Sequence, residues 1–319
     1  MSTLNAFVHT MRFEADDVIS IELRPVPGST EFPAFDAGAH IDLHLPNGMV
    51  RNYSLCNGSE ERGRYVIGVL RDRASRGGSR CVHEQLRVGM RLPISAPRNN
   101  FPLREEAGHT VLIAGGIGIT PILCMARRLK ALGASFELMY FARARESAAF
   151  VAELEALGIS THLHFDSERG GPPDLQALLG KRAPDAQTHY YACGPTVMLD
   201  AFEKICATLG HENAHIERFA AVEVAAASDA RSTYTVELRK SGRTITITPE
   251  KSLLNTLLDA GIAVDYSCSE GVCGTCETRV LAGEPDHRDS VLSPKERASN
   301  KAMMVCVSGC KSSTLTLDL

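Results

Sequence analysis

The sequence predicts three consecutive domains: an antiparallel β-barrel, an α/β domain built on a parallel sheet, and a small α+β domain. The 319 residues exceed what a single hydrophobic core usually contains. Short β-like runs dominate up to about residue 97, and strand-like and helix-like runs alternate from about residue 109. We expect the domains at 1–105, 106–222 and 233–319, joined by a linker at 223–232 that is rich in small residues.

Composition excludes several classes of protein. Hydrophobic residues make up 44% of the chain and charged residues 23%, as in globular proteins. A net charge of -4 gives no broad basic surface, so we expect no nucleic-acid partner. The first twenty residues contain acids and no apolar run, and no stretch reaches the length of a membrane span, so we expect a cytoplasmic protein without a membrane partner.

The first two domains differ in the period of their hydrophobic runs. DVISIEL, HIDLHL, VRNYSLC and RYVIGVL are β-like and are separated by Gly, Pro and Asn turns, which predicts the barrel. From HTVLIAG onward, strands such as SFELMYF and THYYAC alternate with the predicted helices ITPILCMARRLKAL, ESAAFVAELEAL and TVMLDAFEKICATL. This alternation predicts a parallel sheet with helices on both faces.

The third domain opens with a hairpin. TYTVELR and RTITITP alternate with period two around Ser241-Gly242, and SLLNTLLDA follows as a short helix.

Four cysteines in this domain predict an iron–sulfur cluster. Cys268, Cys273 and Cys276 have x4 and x2 spacing, and Cys306 follows thirty positions later. This is the plant-type ferredoxin spacing, in which four thiolates hold a [2Fe–2S] cluster. Structural zinc, the alternative, usually pairs two short ligand clips, which this spacing lacks. Glycines at 271 and 274 provide the positive φ that a wrapping loop needs.

The remaining cysteines have no such pattern. Cys310 does not fit the ferredoxin spacing, so we do not expect it to be a cluster ligand. Cys56, Cys81, Cys124 and Cys206 are expected to pack in the hydrophobic cores.

Two glycine turns predict a dinucleotide site in the second domain. LIAGGIGITPIL contains Gly115, Gly116 and Gly118 between a buried strand and a helix start, and YACGPTVML places Cys193-Gly194-Pro195 at another strand end. Glycines let the backbone approach a pyrophosphate at a helix N-terminus, and both turns can face one crevice. Tight strand-to-helix turns also favour glycine for steric reasons, so one turn alone is weak evidence.

The order of these motifs resembles the ferredoxin-NADP reductase superfamily, which carries a GGxGxTP turn before a CGP turn. Arg51-Asn52-Tyr53-Ser54-Leu55 is similar to the superfamily's RxYSL flavin strand, and Arg76-Gly77-Gly78-Ser79 precedes a helix start suited to a phosphate. With a C-terminal plant-type ferredoxin, the whole chain resembles the phthalate dioxygenase reductase family, which includes vanillate demethylase reductases.

The resemblance implies a flavin barrel, a nicotinamide domain, a β-grasp-like ferredoxin domain, and the cofactors FMN, NADH and [2Fe–2S]. The implied flavin-binding residues are Arg51, Tyr53, Ser54, Leu55, Arg76, Gly77, Gly78 and Ser79. The implied dinucleotide-binding residues are Gly115, Gly116, Gly118, Thr120, Pro121, Cys193, Gly194 and Pro195. Hydride transfer is expected beside Ser54, Cys193 and Phe219, with core packing as the alternative for the last two.

Coenzyme choice is expected to depend on the segment after SFELMYF. Glu146 could bind ribose hydroxyls and repel a 2′-phosphate, whereas Arg143 and Arg145 could attract one. The family favours NADH.

The electron acceptor is expected to be a separate protein. The sequence has no evident two-His-one-carboxylate oxygenase centre, so electrons would leave to a Rieske-type oxygenase docked near the cysteine loop and steered by Glu270 and Glu277. A diiron hydroxylase reductase and an iron–sulfur redox-sensing regulator are the alternatives.

Other patterns carry no predicted function. His287-Arg288-Asp289 matches the first letters of a kinase catalytic loop without the rest of its context. No metal role is predicted for His40, His44, His162 and His164.

Overall fold

The computed structural model describes residues 3–29, 31–73, 76–220 and 233–319. It divides into two compact units, Met1–Glu217 and Arg218–Leu319. The predicted linker at 223–232 lies outside the described residues.

A six-stranded antiparallel sheet forms the first part of the larger unit. Its strands are β1 (Thr3–Ala15), β2 (Val18–Pro25), β3 (His40–His44), β4 (Val50–Ser54), β5 (Tyr65–Leu70) and β6 (Arg91–Ser95), and α1 is Gly78–Gln85. The strand order is β4-β3-β6-β1-β2-β5. Leu55, directly after β4, bridges Ile67 on β5, and the Cys56 N–H donates to Val66 O over 2.9 Å. These contacts join the two edges, so the sheet closes as the predicted barrel.

A five-stranded parallel sheet follows in the same unit. The strands are β7 (His109–Gly115), β8 (Phe136–Ala142), β9 (Thr161–Phe165), β10 (Thr188–Cys193) and β11 (Ala214–Glu217), in the order β11-β10-β7-β8-β9. The helices are α2 (Ile119–Leu132), α3 (Val151–Ala156), α4 (Asp166–Arg169), α5 (Leu175–Leu179) and α6 (Thr196–Leu209). The strand order changes direction between β7 and β10, which is where open α/β sheets bind ligands.

The two faces of this sheet belong to different cores. Leu112 packs in the cluster that contains α2 and the barrel interior, whereas Val111 packs with Leu199 and Phe202 of α6. Barrel and parallel sheet therefore share one core within this unit.

One predicted helix is shorter than expected. ESAAFVAELEAL forms a 3-10 turn at Arg145–Ser147 and then only α3, because Phe150 has a φ of 63° and is 2% exposed. Burial of this side chain outweighs the local preference for helix.

The smaller unit contains a mixed five-stranded sheet of the β-grasp type. The strands of this unit are β12 (Tyr234–Leu238), β13 (Arg243–Ile247), β14 (Glu277–Ala282), β15 (Pro285–Asp286), β16 (Ala302–Met304), β17 (Gly309–Cys310) and β18 (Thr314–Leu317), with helices α7 (Leu253–Asp259) and α8 (Pro294–Ser299). β15 and β17 pair with each other in a separate two-stranded sheet, and the other five strands form the main sheet. The sheet order is β13-β12-β18-β14-β16, with β12 and β18 parallel. The predicted hairpin turns at Gly242, whose φ is 66°. A separate core lies between this sheet and α7.

Within the described ranges, no helix combines the length and apolar character needed to cross a membrane.

Candidate functional site

The two predicted flavin motifs meet at the start of α1. Gly77, the N-cap residue, has a φ of 109° and no side chain with which to cap the N–H groups of the first turn. A Cβ on Gly78 would lie only 2.6 Å from Arg51 Nε, so the guanidinium lies against this turn. A guanidinium beside uncapped helix amides fits a phosphate group.

The other residues of these motifs differ in what they can contact. Ser79 Oγ accepts from the Asp72 N–H over 3.2 Å and keeps its own hydrogen to donate, whereas Arg76 is exposed. Burial raises the pKa of Tyr53, so its phenol stays neutral. Leu55 is fully buried in the barrel core, which leaves only its backbone for a cofactor.

The two glycine turns of the parallel sheet pack backbone against backbone. A Cβ on Gly118 would lie 2.2 Å from Cys193 O, and one on Gly194 would lie 3.0 Å from Gly115 Cα. Gly116 has a φ of 52° and open space on its Cβ side. The predicted dinucleotide turns therefore meet at the switch point of the sheet, where only glycine permits this approach.

Thr120 and Pro121 are buried in the first turn of α2. The Thr120 hydroxyl donates to Ile117 O over 3.0 Å, and its methyl group lies against Gly68 of β5. Thr120 thus fixes α2 against the barrel, and its hydroxyl is already occupied.

Three polar side chains meet where the barrel joins the parallel sheet. Ser54 is 4% exposed and its Oγ donates to Glu217 Oε2 over 3.3 Å, while Cys193 is the β-sheet partner of Glu217. Burial raises the pKa of Glu217 to about 8, an effect that the Ser54 hydrogen bond partly opposes. Burial, and then the charge of Glu217, raise the pKa of the Cys193 thiol well above its ordinary value. At neutral pH this junction is therefore composed of neutral groups that can donate hydrogen bonds.

Sequence reasoning missed Glu217. Ser54 and Cys193 were predicted to lie near the transferred hydride, and Glu217 connects them although it is 163 positions from Ser54. The available indication was an acid at the carboxyl end of the last parallel strand, in HIERF. Phe219, two residues later, is 41% exposed.

The segments after β8 and β9 carry the charges that bear on coenzyme choice. Arg145 Nε lies 3.2 Å from Glu168 Oε1, and the guanidinium lies 4.5 Å from the ring centroid of Phe165. Arg145 is thus already paired with an acid, whereas Arg143 and Glu146 are exposed.

The four predicted cluster ligands lie together in the smaller unit as two pairs. All four are buried, and the thiol of Cys268 lies beside that of Cys273, as the thiol of Cys276 lies beside that of Cys306. Among the described residues, no three His, Cys, Asp or Glu side chains are grouped to hold a single metal ion. Two pairs of thiols match a two-iron cluster, in which each iron takes two thiolates, better than one zinc ion.

The backbone around the thiols also suits a cluster. Gly271 and Gly274 both have a φ of 72°, as predicted. The Glu270 N–H donates to Cys268 Sγ over 3.3 Å. Such donors stabilise sulfur in its anionic, metal-binding form.

Cys310 has different neighbours. Its thiol donates to Ser312 O over 2.7 Å, and its residue pairs with Pro285 between β15 and β17. None of the ten cysteines, all of which lie in the described part of the chain, forms a disulfide.

The acids beside the cysteine loop are not equivalent. Glu270 is partly buried, and its N–H donates to Cys268 Sγ over 3.3 Å. Glu277 is exposed, and its pKa is raised by partial burial and by the charges of Glu296 and Asp289. Glu277 is therefore the residue that presents charge to the solvent.

Comparisons with known proteins agree with this architecture. Residues 236–311 match a 2Fe-2S iron-sulfur cluster binding domain. The chain is 48% identical over 319 residues to phenoxybenzoate dioxygenase subunit beta of Ectopseudomonas oleovorans, covering 100% of this chain and 98% of that one. It is 45% identical over 321 residues to vanillate O-demethylase oxidoreductase of Pseudomonas putida, covering 99% of this chain and 100% of that one.

Two solved structures also resemble this chain over nearly its whole length. Phthalate dioxygenase reductase, described as a modular structure for electron transfer from pyridine nucleotides to [2Fe-2S], matches with a TM-score of 0.73 and 38% identity over 100% of this chain and 98% of its own. An intact type IV self-sufficient cytochrome P450 monooxygenase matches with a TM-score of 0.90 and 38% identity over 99% of this chain, which spans only 41% of that protein. The chain belongs to the phthalate dioxygenase reductase family, the electron-transfer oxidoreductases of aromatic oxygenase systems that carry a [2Fe–2S] ferredoxin domain.

Proposed function

We propose that this chain takes a hydride from NADH onto bound FMN and passes the electrons singly, through its [2Fe–2S] cluster, to a separate Rieske-type oxygenase. The proposed domains are 1–105 for FMN, 106–222 for NADH and 233–319 for the cluster. The observation that carries this proposal is the Ser54–Glu217–Cys193 junction, which lies where a flavin strand and a nicotinamide turn would meet. Flavin supplies the required chemistry, since it accepts two electrons as hydride and releases them one at a time.

The flavin phosphate would bind at the first turn of α1. Arg51 and the uncapped amides of this turn are suited to a single terminal phosphate. The same site accounts for the predicted roles of Gly77, Gly78 and Ser79. The Arg51 guanidinium would donate hydrogen bonds to two phosphate oxygens, and the Ser79 hydroxyl would donate to a third.

The nicotinamide would lie over the two glycine turns, at the carboxyl ends of their strands. Gly116 leaves open space for the pyrophosphate, and the Cys193-Gly194-Pro195 turn bounds the opposite side. Ser54 and Cys193 orient the reacting rings, while Glu217 holds a proton on its carboxyl group beside Ser54 Oγ. No general base is needed, because hydride transfer depends on positioning.

NADH is favoured over NADPH by the pairing of Arg145. Its guanidinium is engaged by Glu168 and by the face of Phe165, which leaves it poorly placed to bind a 2′-phosphate. The exposed Glu146 would repel such a phosphate.

The acceptor would dock on the exposed surface beside the cysteine loop. Homology to reductase components of oxygenase systems supports an oxygenase as the acceptor. Transient electron-transfer interfaces are small and steered by charge, and Glu277 with Glu296 provides local negative charge.

Two assays on the full chain test the proposal. NADH-driven reduction of ferricyanide measures electron flow through the flavin, and NADH-driven reduction of a purified Rieske-type oxygenase measures flow through the cluster. Glu277→Lys should slow oxygenase reduction several-fold and weaken its salt dependence, while leaving the ferricyanide rate unchanged. Glu270→Lys is a poorer probe, because Glu270 is partly buried beside Cys268.

Glu284→Lys is the matched control, since Glu284 is an exposed acid of the same domain that pairs with Lys311 outside the cysteine loop. An equal loss of rate in the Glu277 and Glu284 variants would reject the docking surface. Failure of wild-type protein to reduce any Rieske-type oxygenase, despite rapid ferricyanide reduction, would reject the acceptor class and favour the diiron hydroxylase alternative.

A further inference from the structure

The segment from His287 to Leu292 packs directly against the cysteine loop. The Ser290 N–H donates to Gly271 O over 2.8 Å. A Cβ on Gly271 would lie 3.0 Å from Asp289 Cα and 2.6 Å from Val307 Cγ2. Gly271 is therefore held between this segment and the residue that follows Cys306.

Gly271 in turn lies beside the proposed cluster ligands. It belongs to the loop between Cys268 and Cys273, and it packs against Val307, the residue after Cys306. Reduction adds negative charge to a cluster, so N–H groups aimed at its sulfurs stabilise the reduced form and raise the reduction potential. The position of Gly271 thus bears on the potential at which electrons enter and leave.

Asp289 fixes the segment that holds Gly271. Its side chain is 0% exposed, and its Oδ2 accepts from the N–H groups of Val291 and Leu292 over 3.1 and 2.8 Å. The Arg297 guanidinium donates to the Asp289 carbonyl and lies 3.9 Å from Oδ2. Three groups therefore order the turn around one buried carboxylate.

A second buried polar side chain, that of His287, lies on the other side of Asp289. Asp289 Oδ1 lies 3.9 Å from Nδ1 of His287, whose side chain is 8% exposed. Within the described ranges, neither this oxygen nor either ring nitrogen of His287 has a hydrogen-bond partner. Incompletely satisfied buried polar groups cost stability, so their presence against the cysteine loop calls for a functional reason.

We propose that Asp289 is a positioning residue for the iron–sulfur cluster. It holds Ser290 against the Gly271 carbonyl, so that the backbone N–H groups of the cysteine loop keep their positions beside Cys306, and its buried negative charge lowers the reduction potential of the cluster. The His287-Arg288-Asp289 run thereby acquires a role in electron transfer. This inference rests on the proposed function, because it requires the cluster and Cys306 as a ligand.

Two substitutions separate the charge of Asp289 from its geometry. Asp289→Asn removes the charge and keeps an oxygen that can accept from Val291 and Leu292. We expect it to favour the reduced cluster about tenfold, about 59 mV for a one-electron couple, with wild-type iron content and electron paramagnetic resonance spectrum. Asp289→Ala removes the acceptor as well, so we expect an altered spectrum and faster loss of iron.

Asp286→Asn is the matched control, because Asp286 lies in the same stretch but pairs with Arg288, and its side chain is 28% exposed. The measurement is a redox titration of the purified holoprotein followed by electron paramagnetic resonance. An unchanged potential in Asp289→Asn, or an equal shift in Asp286→Asn, would overturn the proposal even if the alanine variant fails to fold. Absence of iron from the wild-type protein would overturn the proposed function and this inference with it.

Discussion

Replacing Glu217 with glutamine tests the proton that we place at the junction of barrel and parallel sheet. Glutamine keeps the size of the side chain and an oxygen for the Ser54 hydroxyl, but it cannot ionise. The folded protein raises the pKa of Glu217 from its ordinary value of 4.5 to about 8. The folded state therefore binds this proton more tightly than the unfolded chain does.

The sign and size of the effect follow from this difference. The stabilising contribution of Glu217 is fully present below pH 4.5, and it is lost as the pH rises towards about 8. Within that window the loss amounts to about 1.4 kcal/mol for each pH unit, so at most about 3 kcal/mol from about pH 5 to about pH 7. For a unit of this size, 1 kcal/mol changes Tm by about 2–4 °C. The wild-type Tm should fall by up to about 10 °C over this range relative to the glutamine variant.

Heating the full chain while recording the fluorescence of released flavin reports unfolding of the larger unit. Glu212→Gln serves as the control, because Glu212 is exposed and precedes the same strand. Its pH dependence should parallel that of the wild-type protein. If the Glu217 variant loses stability between pH 5 and pH 7 as steeply as wild type does, then Glu217 is not the protonated group and the argument fails.

Three further predictions concern the cofactors. Cys306→Ser should abolish stable incorporation of two irons, whereas Cys310→Ser should retain them; iron analysis giving the reverse would exchange the two assignments. Arg51→Ala should weaken binding of FMN at least tenfold through lost phosphate contacts, and chromatography that identifies FAD as the released flavin would contradict the proposed site. Glu168→Ala should release Arg145 and raise catalytic efficiency with NADPH relative to NADH several-fold, and an unchanged ratio would separate Arg145 from coenzyme choice.

Sequence periodicity was sufficient where local preferences and tertiary packing agree. The runs ITPILCMARRLKAL and TVMLDAFEKICATL form α2 and α6 over their full lengths, and both helices end at glycines with positive φ. The expected helix after β8 failed because the burial of Phe150 is a tertiary effect. The long strand β1 has bulges near Val8 and Phe13 that break its alternation, so its pattern gave little indication of a 13-residue strand.

The residues of the candidate sites also fall into two groups, those that local sequence motifs predict and those that depend on long-range contacts. Cysteine spacing and glycine turns are local in sequence, and the structure brings together the residues that these motifs singled out. Glu217 acquires its properties from Ser54, on a distant strand, and from burial at a domain junction. The role that we propose for Asp289 likewise depends on the backbone hydrogen bond from Ser290 to Gly271, which no spacing rule encodes. Such residues become visible only when long-range contacts are known.

The backbone contact between the two glycine turns limits how this enzyme could be re-engineered. A single methyl group at Gly118 would collide with the Cys193 carbonyl, so the distance between the two turns is set by main-chain atoms and not by side chains. Any larger residue at Gly118 would push the two turns apart. A library intended to broaden coenzyme use should therefore leave both turns unchanged and vary the exposed residues after β8 and β9, where side chains alone determine the chemistry.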